Sequence, residues 1–487
     1  MLDDNWYHFN QIVAIDGKIS QLTINQNFSI NSYDGLDEKV DMEIVQNGHL
    51  TVSAGAAFNL GYFGQEQSTF DDGYYYDDNG NRIQMGFSSL IAENEMSADS
   101  IVVALRVRTD RWNFISLPFD VNVSEIEYPE GTLWVIRKYS GADRASLTGN
   151  TWQNMTDGMT LKAGEGYILH CSHENANVIG FLFHAVNNSS KNKLFAHQDV
   201  VKELNRYDSE FAHNSSWNLV GNPYPAFYDT RAIEHNGTIT VYNGDYYYGG
   251  YTAYSLVDDD YVLRPNEAFF VQCPDDTTSM TFKAEGRLHT YDIDYNNGKK
   301  RASTRTQSNR SVYNFILEGA DLSDRARLVI NPQAKMDYEI SCDASKFMSD
   351  NADASQLYII DGGVRYAIDE RPIGEGKFQI GAKFGKAGTY TILLSAKNDM
   401  GADIILTDNE TGQQVNLKDG AYSFSAKAGI ADNRFIVTLS GGTTGIKKVA
   451  ESVNENPVYD TFGRQIPAAQ KGINIMDLDG RYQKVLK

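Results

Sequence analysis

The chain of 487 residues carries 43 Lys and Arg against 64 Asp and Glu, a formal charge of −21. A basic nucleic-acid footprint is therefore absent, and an anionic membrane surface would repel the chain. Its apolar fraction of 41% suffices for packed cores and excludes wholesale disorder.

The length predicts roughly three or four domains. Tyr (29) and Phe (23), with Gly (41) well above Pro (10), favour short strands joined by tight turns, an all-β chain. The cysteines Cys171, Cys273 and Cys342 form no CxxC and are odd in number, which argues for buried small hydrophobes over a disulfide framework. No apolar run is long enough to cross a bilayer. The start, Met1-Leu2-Asp3-Asp4-Asn5, has neither the basic nor the apolar segment of a signal peptide.

Residues 1–105 read as short strands, with Leu22, Ile24, Phe28 and Ile30 alternating. Small residues around Asn47-Gly48 and Ala54-Gly55-Ala56 suit tightly wound β-coils, and the segment is compatible with the last coils of a β-solenoid. Asp71, Asp77, Asn79 and Asn81 offer clustered oxygens to Ca²⁺. The competing and preferred reading of Asp77-Asp78-Asn79-Gly80-Asn81 is a hairpin turn, because Asn-Gly suits positions that both need φ > 0. Tyr74, Tyr75 and Tyr76 stand just before it.

Residues 106–295 hold a tandem β-repeat, about 106–205 and 206–295. Trp112-Asn113-Phe114-Ile115-Ser116-Leu117-Pro118-Phe119 aligns with Trp217-Asn218-Leu219-Val220-Gly221-Asn222-Pro223-Tyr224 at an offset of 105. Leu161 to Cys171 aligns with Leu263 to Cys273 at an offset of 102. Each unit opens with a strand that stops at Pro and closes with a turn feeding an aromatic strand. Tyr246, Tyr247, Tyr248, Tyr251 and Tyr254, like Tyr74 and Tyr76, are the binding candidates. Exposed tyrosines stack on sugars or dock to proteins, although alternate tyrosines of a hairpin also bury one face. Asp258-Asp259-Asp260 is a weaker oxygen cluster. Glu165 and Glu267 recur in both units, so a role in each unit's fold is favoured over a glycosidase carboxylate pair. His170 and His173, three apart on a strand, point to opposite faces and do not converge on a metal.

Residues 296–311 form a basic linker with Lys299, Lys300, Arg301, Arg305 and Arg310 and no acidic residue, expected to be exposed. Residues 312–440 show eight strand-like runs, at 313–317, 327–330, 356–360, 377–382, 389–394, 402–406, 421–426 and 434–439, which suggest a β-sandwich. From Gly441 the regime changes: seven basic side chains face five acidic ones in a small β module, 441–487.

The tail carries Thr444-Gly445-Ile446, then Val458-Tyr459-Asp460-Thr461-Phe462-Gly463-Arg464, then Lys471-Gly472-Ile473-Asn474-Ile475 and Lys484-Val485-Leu486-Lys487. It resembles the C-terminal sorting domains of the type IX secretion system and their shorter relatives in Bacteroides and Prevotella, with Asn474 where that family usually has Tyr. Tyr459, Gly463, Arg464, Lys471 and Gly472 carry the motif. Trp217 to Pro225 is similar to the Trp-Asn-Leu-x-Gly-Asn-Pro-Tyr signature upstream of such tails, and the 312–440 module resembles the one that often precedes them. The resemblance implies a Bacteroidales-type surface protein, extracellular or on the outer membrane, with the secretion machinery as a partner.

No HExxH, GxSxG, P-loop or GxGxxG occurs. The expectation is a non-catalytic secreted or cell-surface protein, an adhesin or scaffold for a glycan or a host or bacterial surface protein. It needs no cofactor beyond a possible Ca²⁺. The alternative is the C-terminal accessory region of a larger secreted hydrolase or lyase.

Overall fold

The computed structural model describes residues 101–147, 149–186, 198–243, 250–259, 261–276, 278–288, 309–319, 323–349 and 351–440, Leu90 and Ile91, and strand backbones at either end of the chain. The fold is all-β.

In the first hundred residues the ladders are mostly parallel. Leu22–Ile24, Leu50–Val52 and Met96–Ser97 lie side by side, as do Phe28–Asn31, Ala57–Tyr62 and Ser100–Arg108. Met42–Ile44 pairs in parallel with Leu90–Ala92. Parallel neighbours require the chain to return to the same end before each strand, and successive coils of a solenoid do that. Tyr75–Tyr76 and Arg82–Ile83 pair antiparallel.

Ser100–Arg108 crosses the expected boundary at residue 105. Its other edge pairs antiparallel with Val178–His184 of the first repeat, so the coil sheet runs on into the next module. Ile101, Val103, Leu105 and Val107 alternate into the core of that repeat.

The two repeats share one wiring. Trp112–Ser116 pairs with Gly166–Ser172, which pairs with Leu133–Tyr139, which pairs with Trp152–Met155. Trp217–Gly221, Ala268–Gln272, Thr238–Asn243 and Gly250–Ser255 follow the same order, and Trp217 faces Gln272 as Trp112 faces His170. The units meet about a pseudo-two-fold axis. Ile115 bridges Glu267 while its counterpart Val220 bridges Glu165. Ser116 N–H donates to Asn266 O at 2.9 Å and Gly221 N–H to Gly164 O at 3.0 Å. Gly164 and Asn266 occupy the same left-handed turn position, at φ 65° and 60°. On the axis only one side chain fits, because a Cβ on Gly221 would lie 1.8 Å from Ser116 Oγ.

The third module is one hydrogen-bonded sheet of eleven strands folded over a single core. Its far ends approach each other: Tyr422 Oη donates to Asp408 Oδ2 at 2.8 Å and Arg434 Nη1 to Ser425 O at 3.1 Å. All eight expected runs coincide with strands, and Ala344–Ser345, Val364–Arg371 and Gln414–Asn416 are additional. The tail forms a five-stranded ladder that includes Val458–Tyr459, Ile473–Leu478 and Arg481–Leu486.

One expectation needs correction. The basic segment ends in a buried cation, not an exposed one: the Arg310 side chain is 7% exposed and pairs with Asp258 Oδ1 at 2.8 Å and with Glu370. Ser311 already begins the strand Ser311–Glu318. Residues 296–308 lie outside the described residues.

Candidate functional site

Two buried seams lock the second repeat to the eleven-stranded sheet. The first is ionic. Arg327, 1% exposed, reaches Asp259 through Nη1 at 2.8 Å and Nη2 at 2.6 Å, and its Nε donates to Asn314 Oδ1 at 2.8 Å. Arg325 adds a contact to Asp259 Oδ1 at 3.3 Å. Burial would raise the Asp259 carboxyl; Arg327 and Arg325 outweigh it and hold the group below its ordinary value. Asp258 and Asp259 are therefore partners of arginines and not the oxygens of a cation site, and Asp260 lies outside the described residues.

The second seam is aromatic and draws on all three modules. Phe114, Tyr139 and Trp152 of the first repeat, Trp217, Tyr251 and Phe270 of the second and Phe347 of the third form one cluster. Phe347 lies 4.7 Å from Trp217 and 4.9 Å from Phe270, in tilted to edge-on contacts that ring quadrupoles favour.

A polar cleft of about 640 Å³ opens where these modules meet. The first repeat contributes Arg144, the second His213 and Asn214, and the third Lys346, Arg365, Gln379, Asp432 and Asn433. Arg144 stands on the short helix Gly141–Ala145, whose Ser140 cap accepts from Asp143 N–H at 3.3 Å. That helix presses on the strand at Trp217: a Cβ on Gly141 would come within 2.1 Å of Trp217 O. The contact lays the Arg144 guanidinium over the rings of Phe347 at 4.4 Å and Trp217 at 5.0 Å.

The other cations of the cleft are already neutralised. Lys346 Nζ sits 2.7 and 2.5 Å from the two oxygens of Asp324. Arg365 Nη2 pairs with Asp432 Oδ2 at 2.7 Å, and Tyr358 Oη donates to Asp432 Oδ1 at 2.6 Å. Burial and the Arg144 charge lower the pKa of His213 and so disfavour its charged form. Arg144 has no carboxylate partner among the described residues, and its Nε is buried without a hydrogen-bond acceptor. The site's positive charge thus resides on one guanidinium.

Of the tyrosines read as binding candidates, Tyr251 is half-buried and its ring packs against Tyr242 at 5.0 Å and Phe347 at 5.3 Å, inside the aromatic seam. Tyr76 is described only as backbone, while Tyr74, Tyr246, Tyr247 and Tyr248 lie outside the described residues. So do Asp71, Asp77, Asn79 and Asn81, and Gly463, Arg464, Lys471 and Gly472 of the tail; Tyr459 is described as strand backbone. His170 packs edge-on to Trp112 at 5.2 Å, whereas His173 Nδ1 accepts from Asn175 N–H at 3.1 Å, and the two are not joined in one site. Among the described residues no group of three or more His, Cys, Asp or Glu could hold a metal ion. Glu165 accepts from Tyr167 Oη at 3.1 Å, and Glu267 from Tyr261 Oη at 2.6 Å and Arg264 N–H at 2.7 Å, so each carboxylate braces its own turn.

Sequence reasoning missed the cleft. Arg144 sits in an ordinary Gly-Ala-Asp-Arg-Ala run, and its neighbours are brought in from positions 70 to 290 residues away. No local pattern marks it.

Residues 226–439 match a family described as a domain of unknown function (DUF8693), which covers less than half of the chain. The matched span crosses the basic segment and includes both sides of the ionic seam. No curated protein and no solved structure matches the chain.

Proposed function

We propose that this chain is a non-catalytic secreted or cell-surface scaffold of adhesin type, and that it engages a glycan or a surface protein through the cleft between its three modules. The single observation behind this reading is that the cleft's walls come from separate modules held by buried ionic and aromatic seams. Walls fixed in that way present polar groups in one geometry, which lowers the ordering cost of binding. The acidic composition and the tail motif support a site of action outside the cell and passage through the type IX machinery.

The test is an array of neutral and acidic glycans and surface proteins, probed with the intact chain and with Asn214→Trp, which puts a bulky ring into the cleft. The proposal expects a bound ligand that Asn214→Trp loses. Equal signals from both proteins, or none, would remove it. For the tail, deleting 441–487 from the gene should trap the product inside a host with a type IX system; unchanged export would refute that part.

A further inference from the structure

We infer that, if the cleft is the binding site just proposed, its ligand is an acidic saccharide whose carboxylate or sulfate rests on the edge of Arg144. Phe347 and Trp217 lie together on one side of the guanidinium, at 4.4 and 5.0 Å from its central carbon and 4.7 Å from each other. Stacking against a face leaves the in-plane Nη donors for a ligand, and paired N–H groups of that kind match a carboxylate or sulfate in a two-pronged pair.

Charge points the same way. The chain carries −21 overall, yet Arg144 enters the cleft with no carboxylate beside it among the described residues, although Lys346 and Arg365 next to it each have one. A half-buried cation without a counter-ion carries a desolvation cost that the two rings offset only in part. An incoming anion removes that cost, while a neutral sugar leaves it in place. The amides of Asn214, Gln379 and Asn433 line the same cleft, and such groups pair with sugar hydroxyls.

The rival explanation is that Arg144 only staples three modules together by stacking. Binding by the unmodified protein separates the two. The intact chain would be titrated calorimetrically with oligouronates, sialylated oligosaccharides and sulfated glycosaminoglycan fragments, each beside its methyl-esterified or desulfated counterpart. Sodium acetate and sodium sulfate serve as the bare anions. At least one acidic saccharide should bind about tenfold or more tightly than its neutral counterpart and than the bare anion, as expected for a charged hydrogen-bonded pair, and added salt should weaken it. Arg144→Gln should remove that preference, and Arg144→Lys, which keeps the charge without the fork, should restore only part of it. Thermal melts of each variant report folding independently.

Equal binding of acidic and neutral forms would overturn the inference while leaving the cleft a glycan site if Asn214→Trp abolishes it. The inference also fails if a folded Arg144→Gln keeps the preference, or if bare anions bind as tightly as saccharides. If no saccharide binds but a surface protein does, the acidic-sugar assignment falls and the scaffold stands. If nothing binds, both fall.

Discussion

The two repeats are the same fold in different company. Trp112 is half-buried with the Arg137 guanidinium 4.9 Å over its ring, whereas Trp217, at the matching position, is 1% exposed beneath Phe347. Asp157 is exposed in the turn before Leu161; Asp259, in the longer corresponding turn before Leu263, is 8% exposed and bound by two arginines. The backbone pairing does not change between them, so burial here is set by the neighbouring module and not by the strand pattern. A surface residue in one copy becomes a structural anchor in the other.

The comparison breaks most sharply at the ionic pair. Asp259→Ala leaves Arg327 buried and unpaired and should cost about 3–5 kcal/mol, while Asp157→Ala should stay within about 0.5 kcal/mol; urea unfolding of the two variants decides it. Trp217→Ala should cost about 3–5 kcal/mol in the same assay. Trp112→Ala, whose ring is half in water, should cost roughly 1 kcal/mol.

Next in size is the pseudo-two-fold axis. Gly221→Ala forces a methyl onto Ser116 and should destabilise by about 1–3 kcal/mol. Because the clash is mutual, adding Ser116→Gly should recover much of that loss; additive effects would mean that the two sites do not meet.

The smallest effect is a pH dependence within the third module. Burial pushes the Asp369 carboxyl up to about 6, against the pull of Arg371 at 2.7 Å. A carboxyl raised in the fold stabilises below its unfolded value of about 4, and that contribution is lost as pH rises through the folded value. Stability of the native protein should therefore fall between about pH 4 and 6, and Asp369→Asn should flatten that part of the profile. An unchanged profile would place the proton elsewhere.

The repeat was legible because its two ends, the Trp-Asn strand and the Cys-ending strand, pair directly with each other in both copies. The eight runs of the third module were legible because their apolar residues alternate into one core. Val364–Arg371 was hidden by Asp369, Glu370 and Arg371. In that strand the charges are buried and answered by Arg310 or by one another, so polarity there marks an interface and not a loop. Arg310 was misread for the same reason: within a basic run nothing local shows that Asp258 and Glu370 await it. The cleft escaped altogether, since only tertiary packing brings Arg144 beside Trp217 and Phe347.

Native-state hydrogen exchange on the full chain tests most directly whether the second repeat and the eleven-stranded sheet are one cooperative body. Amides of Trp217–Gly221 and Ala268–Gln272 should open with the same free energy as those of Ser311–Glu318 and Ser323–Ile330, and with a higher one than those of Trp112–Ser116. Separate opening energies for the second repeat and the sheet would contradict the account.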